Sequence, residues 1–136
     1  MGCDIHTVLQ VKKRAKWETV ATDIFTGRNY ALFSVLAGVR GGEEPIATPR
    51  GYPAGFEVMD DDCHRVTDAG GFIDSYWMGD HSHSWLTVAE IVKCDFDDPE
   101  EEYTKCLGYI VAKAMIVAYE NALELEEVRI VFGFDS

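Results

Sequence analysis

The chain predicts an α+β fold: a small, mostly antiparallel sheet made of an N-terminal hairpin and a C-terminal strand, backed by one long helix, with a long irregular loop in the middle. Three observations carry that expectation. Residues 3–12 alternate, with Ile5, Thr7, Leu9 and Val11 on one face and Asp4, His6, Val8 and Gln10 on the other, the period of a half-buried strand. Tyr103, Leu107, Ile110, Val111, Ala114, Val117, Ala118, Ala122 and Leu125 keep helical spacing. Val128, Ile130, Phe132 and Phe134 alternate with Arg129, Val131, Gly133 and Asp135, which closes the chain with another strand. An antiparallel sheet with a helix on one face is the economical way to bury these stripes.

Each element has its local cause. Trp17 to Ala21 reads as the hairpin partner of the first strand, joined across the basic turn Lys12-Lys13-Arg14-Ala15-Lys16. Asn29 suits the N-cap of a short helix with Tyr30, Phe33 and Leu36 as its apolar stripe, and Gly38 suits the left-handed position after its end. From Val39 to about Tyr76 periodicity disappears among glycines and prolines, as in a functional or partly disordered loop, able to fold over the polar face of the sheet or to hold short strands near Phe56–Met59. His81 to Leu86 looks extended. Thr87 then caps a helix to about Lys93, with Glu90 completing a capping box. Asp98-Pro99 opens the long helix as N-cap and first position, with Glu100-Glu101-Glu102 at the positive end of the dipole. Its pattern runs for roughly 26 residues, ~39 Å at 1.5 Å per residue.

At 136 residues the length suits one domain, residues 1–136. Twenty-four acids against twelve bases give a net charge of −12, so direct nucleic-acid binding is not expected. Four of the twelve bases sit in the hairpin turn, which reads more readily as a solvated turn than as a phosphate patch. Cys3, Cys63, Cys94 and Cys106 show no metal or redox spacing and no secretory apolar segment precedes them, the expectation being free thiols in a reducing cytoplasm. Met1-Gly2-Cys3-Asp4-Ile5-His6 fails as a myristoylation signal because His6 stands where Ser or Thr is required. No apolar run approaches the ~20 residues needed to span a bilayer, and no membrane partner is expected.

Chemistry is expected around Gly79–Thr87, where His81 and His83 stand two positions apart. On an extended segment such residues point the same way, and Asp4 and His6 have the same spacing. Brought together, Asp4, His6, His81 and His83 would suit Zn or another divalent ion with a position left for water. Without metal, His6 and either His81 or His83 would serve as general base and acid on a phosphoester, with Arg28 or Arg50 stabilising developing charge. The bland alternative is two polar residues ahead of a helix cap. The two-histidine phosphoesterase pattern is rejected, since Val8 and His83 occupy its hydroxyl positions. In Thr48-Pro49-Arg50-Gly51-Tyr52-Pro53 two prolines rigidify the loop that presents Arg50. Tyr30 and Trp85 are candidate ligand-binding aromatics, and Tyr76 and Trp77 could stack a ring or fill the core. Asp60-Asp61-Asp62-Cys63-His64 reads as a solvated acidic loop, because three adjacent acids alternate in direction.

The chain resembles a set of short, uncharacterised proteins of bacteriophages and prophages. The likeness rests on Met1-Gly2-Cys3-Asp4-Ile5-His6, Gly27-Arg28-Asn29-Tyr30-Ala31-Leu32-Phe33, Leu36-Ala37-Gly38-Val39-Arg40, Pro45-Ile46 with Pro49-Arg50-Gly51, His81-Ser82-His83-Ser84-Trp85-Leu86-Thr87 and Val128-Arg129-Ile130-Val131-Phe132. It implies a phage origin and the cytoplasm of an infected bacterium, and it brings no catalytic residues with it.

The expected function is a pocket between Asp4/His6 and His81/His83, closed by the Arg50 loop, that binds a phosphate-bearing small molecule such as a nucleotide and hydrolyses it with metal or histidine assistance. The alternative is a non-enzymatic binder that antagonises host defence by sequestering a nucleotide signal or docking on a host protein. The final strand's alternation leaves an edge able to pair across a homodimer.

Overall fold

The computed structural model describes residues 2–56, 78–94 and 101–135. The Asp60–His64 run, Tyr76 with Trp77, and Asp98-Pro99 lie outside them, as does most of the strand considered near Phe56–Met59. The long helix does not start at Pro99 as expected: Glu101 is extended and serves as its N-cap, so the first helical residue is Glu102 and Glu101 is not in the first turn. The fold is α+β. Four strands, β1 (Asp4–Lys13), β2 (Lys16–Thr22), β3 (His81–Thr87) and β4 (Val128–Asp135), form an antiparallel sheet in the order β2-β1-β4-β3. The first and last strands of the chain are thus central neighbours, paired along their length from Asp4 opposite Asp135 to Val11 opposite Val128. The final strand is therefore not the open edge expected to pair across a homodimer, because β1 and β3 take up its two sides.

The two faces are covered differently. On the first face Ile5, Leu9, Val11, Val128, Ile130, Phe132, Phe134 and Leu86 meet three helices, α1 (Tyr30–Ala37), α2 (Val88–Val92) and α3 (Glu102–Glu120). Buried Leu107, Ile110, Ala114 and Ala118 are the α3 contribution, spaced so that one face of the helix enters the core. On the second face Val8 and Val131 are covered by Phe56 and Met78, with Tyr52 and Trp85 against them. The segment around Arg50 therefore folds over the more polar side of the sheet, and β4 is buried on both faces.

The local signals expected at two helix ends are present. Asn29 Oδ1 accepts from the Leu32 amide at 2.9 Å, and Gly38 adopts φ +72° just past α1. At α2 the Thr87 hydroxyl accepts from the Glu90 amide while the Glu90 carboxylate accepts from the Thr87 amide, the full capping box. Helix α3 is 19 residues, shorter than its apolar pattern. Asn121 donates from its side chain to the Val117 carbonyl, and Ala122 turns to φ +54°, so Ala122 and Leu125 keep their spacing but leave the helix. A 3-10 turn over Leu125–Glu127 then leads into β4.

Candidate functional site

Antiparallel register and alternation arrange the second face as a grid. His6 on β1 stands opposite Gly133 on β4, and Asp4 stands opposite Asp135. On the other side of β4, Ser84 pairs with Phe132 and His81 with Phe134, the register shifting between them. That shift is a bulge, and Ser82 within it takes φ +55°. One extra residue breaks the alternation, so the two imidazoles part company. His81 lies against the Phe134 ring on the first face, centroids 6.2 Å apart. His83 goes to the second face, where its ring rests on Gly133 so closely that a Cβ there would stand 2.6 Å from His83 Cδ2.

His6 and His83 therefore share a face and a row, two strand positions or roughly 10 Å of backbone apart. The chain at Met78 crosses above the row, with its carbonyl oxygen only 2.0 Å from where a Gly133 Cβ would be. His83 Nε2–H donates to the Gly79 carbonyl at 2.9 Å, and Tyr52 stacks on the imidazole with centroids 4.4 Å apart. Burial pushes the Tyr52 phenol upward. His6 Nε2–H donates to Asp135 Oδ2 at 2.6 Å, with both side chains about one-fifth exposed (22% and 21%).

Asp4 continues this cluster outward. Its carboxylate takes the Arg28 guanidinium two-fold, at 2.6 and 3.2 Å, which holds it below the usual carboxylate range with help from nearby His6. Arg28 is correspondingly raised. Asp4, His6, His81 and His83 are thus not gathered around one point, and among the described residues no three His, Cys, Asp or Glu side chains are placed to hold a metal ion.

Arg50 is positioned by the loop but committed to the protein. Its amide donates to Ser84 Oγ at 3.0 Å, and the next amide, Gly51, donates to the His83 carbonyl at 2.8 Å, so the loop runs along the open edge of β3. The guanidinium meets both Glu90 oxygens at 2.9 and 2.5 Å, donates to the Trp85 carbonyl and stacks 4.6 Å from the Trp85 ring. The Arg50 guanidinium drives the Glu90 pKa down to about 2 against the opposing effect of burial, with lesser help from Thr87. Tyr30 faces the opposite side: its hydroxyl accepts from the Cys3 amide at 3.3 Å and its ring packs on Phe33.

Sequence reasoning missed Asp135, Tyr52 and Glu90 as partners of these groups, and it missed Arg129, Gln10, Thr19 and Trp17 as a second polar cluster on the same face. The signal for the second cluster was present, because the alternation of β1 and β4 places Gln10 and Arg129 on the His6 face. What alternation lacks is register, which sets who stands opposite whom. No family model, curated protein or solved structure matches the chain.

Proposed function

We propose that the second face of the sheet handles a phosphate-bearing small molecule, a nucleotide in the first instance, and that His6 is the proton-transfer group in hydrolysis of its phosphate ester. The supporting observation is the half-buried His6–Asp135 pair at 2.6 Å. A carboxylate accepting from Nε2–H sets the tautomer and orients the ring, as a positioned general acid–base group requires. His6 would take a proton from water as its oxygen attacks phosphorus, and would return it to the departing oxygen. Arg28, more exposed than Arg50 but held two-fold by Asp4, would exchange that partner to meet a phosphate at this end of the sheet.

The test is a nucleotide screen with native protein, His6→Ala and Asp135→Asn. General acid–base catalysis contributes about 10²–10⁴-fold, so His6→Ala should lose that much turnover and Asp135→Asn a smaller share. Equal turnover by native and His6→Ala protein, or none by either, overturns the enzymatic reading.

One observation favours a second, non-enzymatic reading. His83 spends its Nε2–H on Gly79 and its ring face on Tyr52, and the Met78 carbonyl stands over Gly133 in the same row. A single histidine pair without a matching acid would hold a nucleotide signal, or present this face to a host protein, without cleaving anything. Ligand recovered intact after denaturation of the complex supports sequestration; recovered product supports hydrolysis.

A further inference from the structure

A second polar cluster occupies the other end of the same sheet face. Arg129 is 4% exposed, and its Nε donates to Gln10 Oε1 at 2.9 Å. Gln10 is itself buried and donates from Nε2 to Thr19 Oγ1 at 3.2 Å. The guanidinium carbon lies 4.0 Å from the Trp17 ring, on the β2 side, and 5.8 Å from the Trp85 ring, on the β3 side. Buried Arg129 Nη2 has no hydrogen-bond partner among the described residues. Among the described residues no ion pair compensates this cation, and burial lowers its pKa to about 10, so it keeps its charge at neutral pH. A carbonyl oxygen and two π-faces soften a buried positive charge but do not neutralise it.

The surroundings point the same way. In a chain of net charge −12, the hairpin turn at this end of the sheet carries Lys12, Lys13, Arg14 and Lys16. Lys12 stands on the Gln10 face, directly opposite Trp17. Trp17 and Trp85 are only half-buried, so the aromatic walls reach the surface while the charge lies beneath them. Four strand positions, roughly 13 Å, separate Arg129 from Gly133, with Phe56 and Met78 packed on Val8 and Val131 between them. This cluster is therefore separate from the His6 site and stands or falls independently of it.

We propose that Arg129 is the anchor of an oxyanion-binding site, with Nη2 donating to a phosphate or carboxylate group that enters between Trp17 and Trp85. Gln10 holds the guanidinium in register through Nε, and the basic hairpin turn draws the anion in. Buried unpartnered donors are rare in folded proteins, and a bound anion satisfies both the missing hydrogen bond and the missing charge.

Isothermal titration of the full chain with inorganic phosphate, and separately with acetate, at ionic strength matched by NaCl provides the test. Tryptophan emission is followed in parallel, because Trp17 and Trp85 flank the site. A saturable heat beyond the NaCl blank, with an emission change, is expected for at least one of the two anions, and the one that binds identifies the group. Arg129→Met, which keeps the volume and removes the charge, should weaken binding tenfold or more. Arg129→Lys, which keeps the charge and loses the planar fork, should bind with intermediate affinity. Both variants are first shown to be folded by circular dichroism; should Arg129→Met not fold, Arg129→Lys carries the comparison. No saturable heat with either anion, or unchanged affinity in a folded Arg129 variant, overturns the proposal.

Discussion

Removing the charge of Glu90 should loosen the loop that covers His83, and the size of that effect can be worked from the structure. Glu90 joins three things: it caps α2 through Thr87, it holds both arms of Arg50, and through Arg50 it fixes the segment that lays Tyr52 on His83. Its carboxyl falls from the ordinary 4.5 to about 2 in the folded chain, first through Arg50 and then through Thr87. At ~1.4 kcal/mol per tenfold, that difference bounds the charge-dependent stabilisation at about 3.4 kcal/mol. Glu90 and Arg50 side chains are 35% and 29% exposed, so solvent screening brings the figure to about 1–2 kcal/mol. Because the folded value is the lower one, this stabilisation is present above pH 4.5 and is lost as pH falls towards 2. Urea unfolding of native protein and Glu90→Gln at pH 7, 4 and 2.5 is the assay. The gap between them should be about 1–2 kcal/mol at pH 7 and should close progressively below pH 4.5. An Arg50→Met background should remove most of it. A gap that persists unchanged to pH 2.5, or that survives in Arg50→Met, would refute the assignment of this charge pair as the tie.

Three further outcomes are expected. Gly133→Ala should destabilise by about 3 kcal/mol, since its methyl would meet the Met78 carbonyl at 2.0 Å and His83 Cδ2 at 2.6 Å; the His83 ring signals in NMR should shift with it, and a neutral substitution would contradict the close approach. Gly108→Ala, with nothing within 4 Å of the new methyl in mid-α3, should instead stabilise by about 1 kcal/mol, read from the same urea curves. Arg14 and Ala15 adopt φ +53° and +63° in the two-residue turn between paired Lys13 and Lys16, a geometry that favours Asn-Gly. The double replacement Arg14→Asn with Ala15→Gly should raise the melting temperature by a few degrees, from about 1 kcal/mol of relieved strain; a lower one counts against the turn described.

Much of the frame was legible because it follows from short-range rules. The two faces of residues 3–12, the closing strand, the Asn29 and Thr87 caps and Gly38 past α1 each need only a few neighbouring residues to specify them. For the middle stretch the sequence left open a fold over the polar face or short strands; its described part reaches that face through Gly51 on His83 and Phe56 on Val8. No helix among the described residues is long and apolar enough to cross a membrane. The helical pattern overran α3 because spacing alone does not register a backbone that turns at Ala122.

The histidines show where local reading ends. His81-x-His83 was expected to aim two imidazoles one way, and a serine at positive φ sends them to opposite faces. Nothing in Ser82 itself demands that conformation. It arises where the chain enters β3 from a crossing above β4, with Gly79 passing so near Phe134 that a Cβ would stand 2.4 Å from its carbonyl oxygen.

The sequence by itself determined the alternation of β1 and β4, and with it the set of residues able to share the second face: Asp4, His6, Gln10, Arg129 and Asp135. Only the tertiary structure decided that His6 meets Asp135 across 129 positions, that Gln10 meets Arg129 across 119, and that His81 leaves the group. The reason is physical: side-chain direction along a strand depends on adjacent residues, whereas register, bulges and the partner across the sheet depend on how distant segments pack.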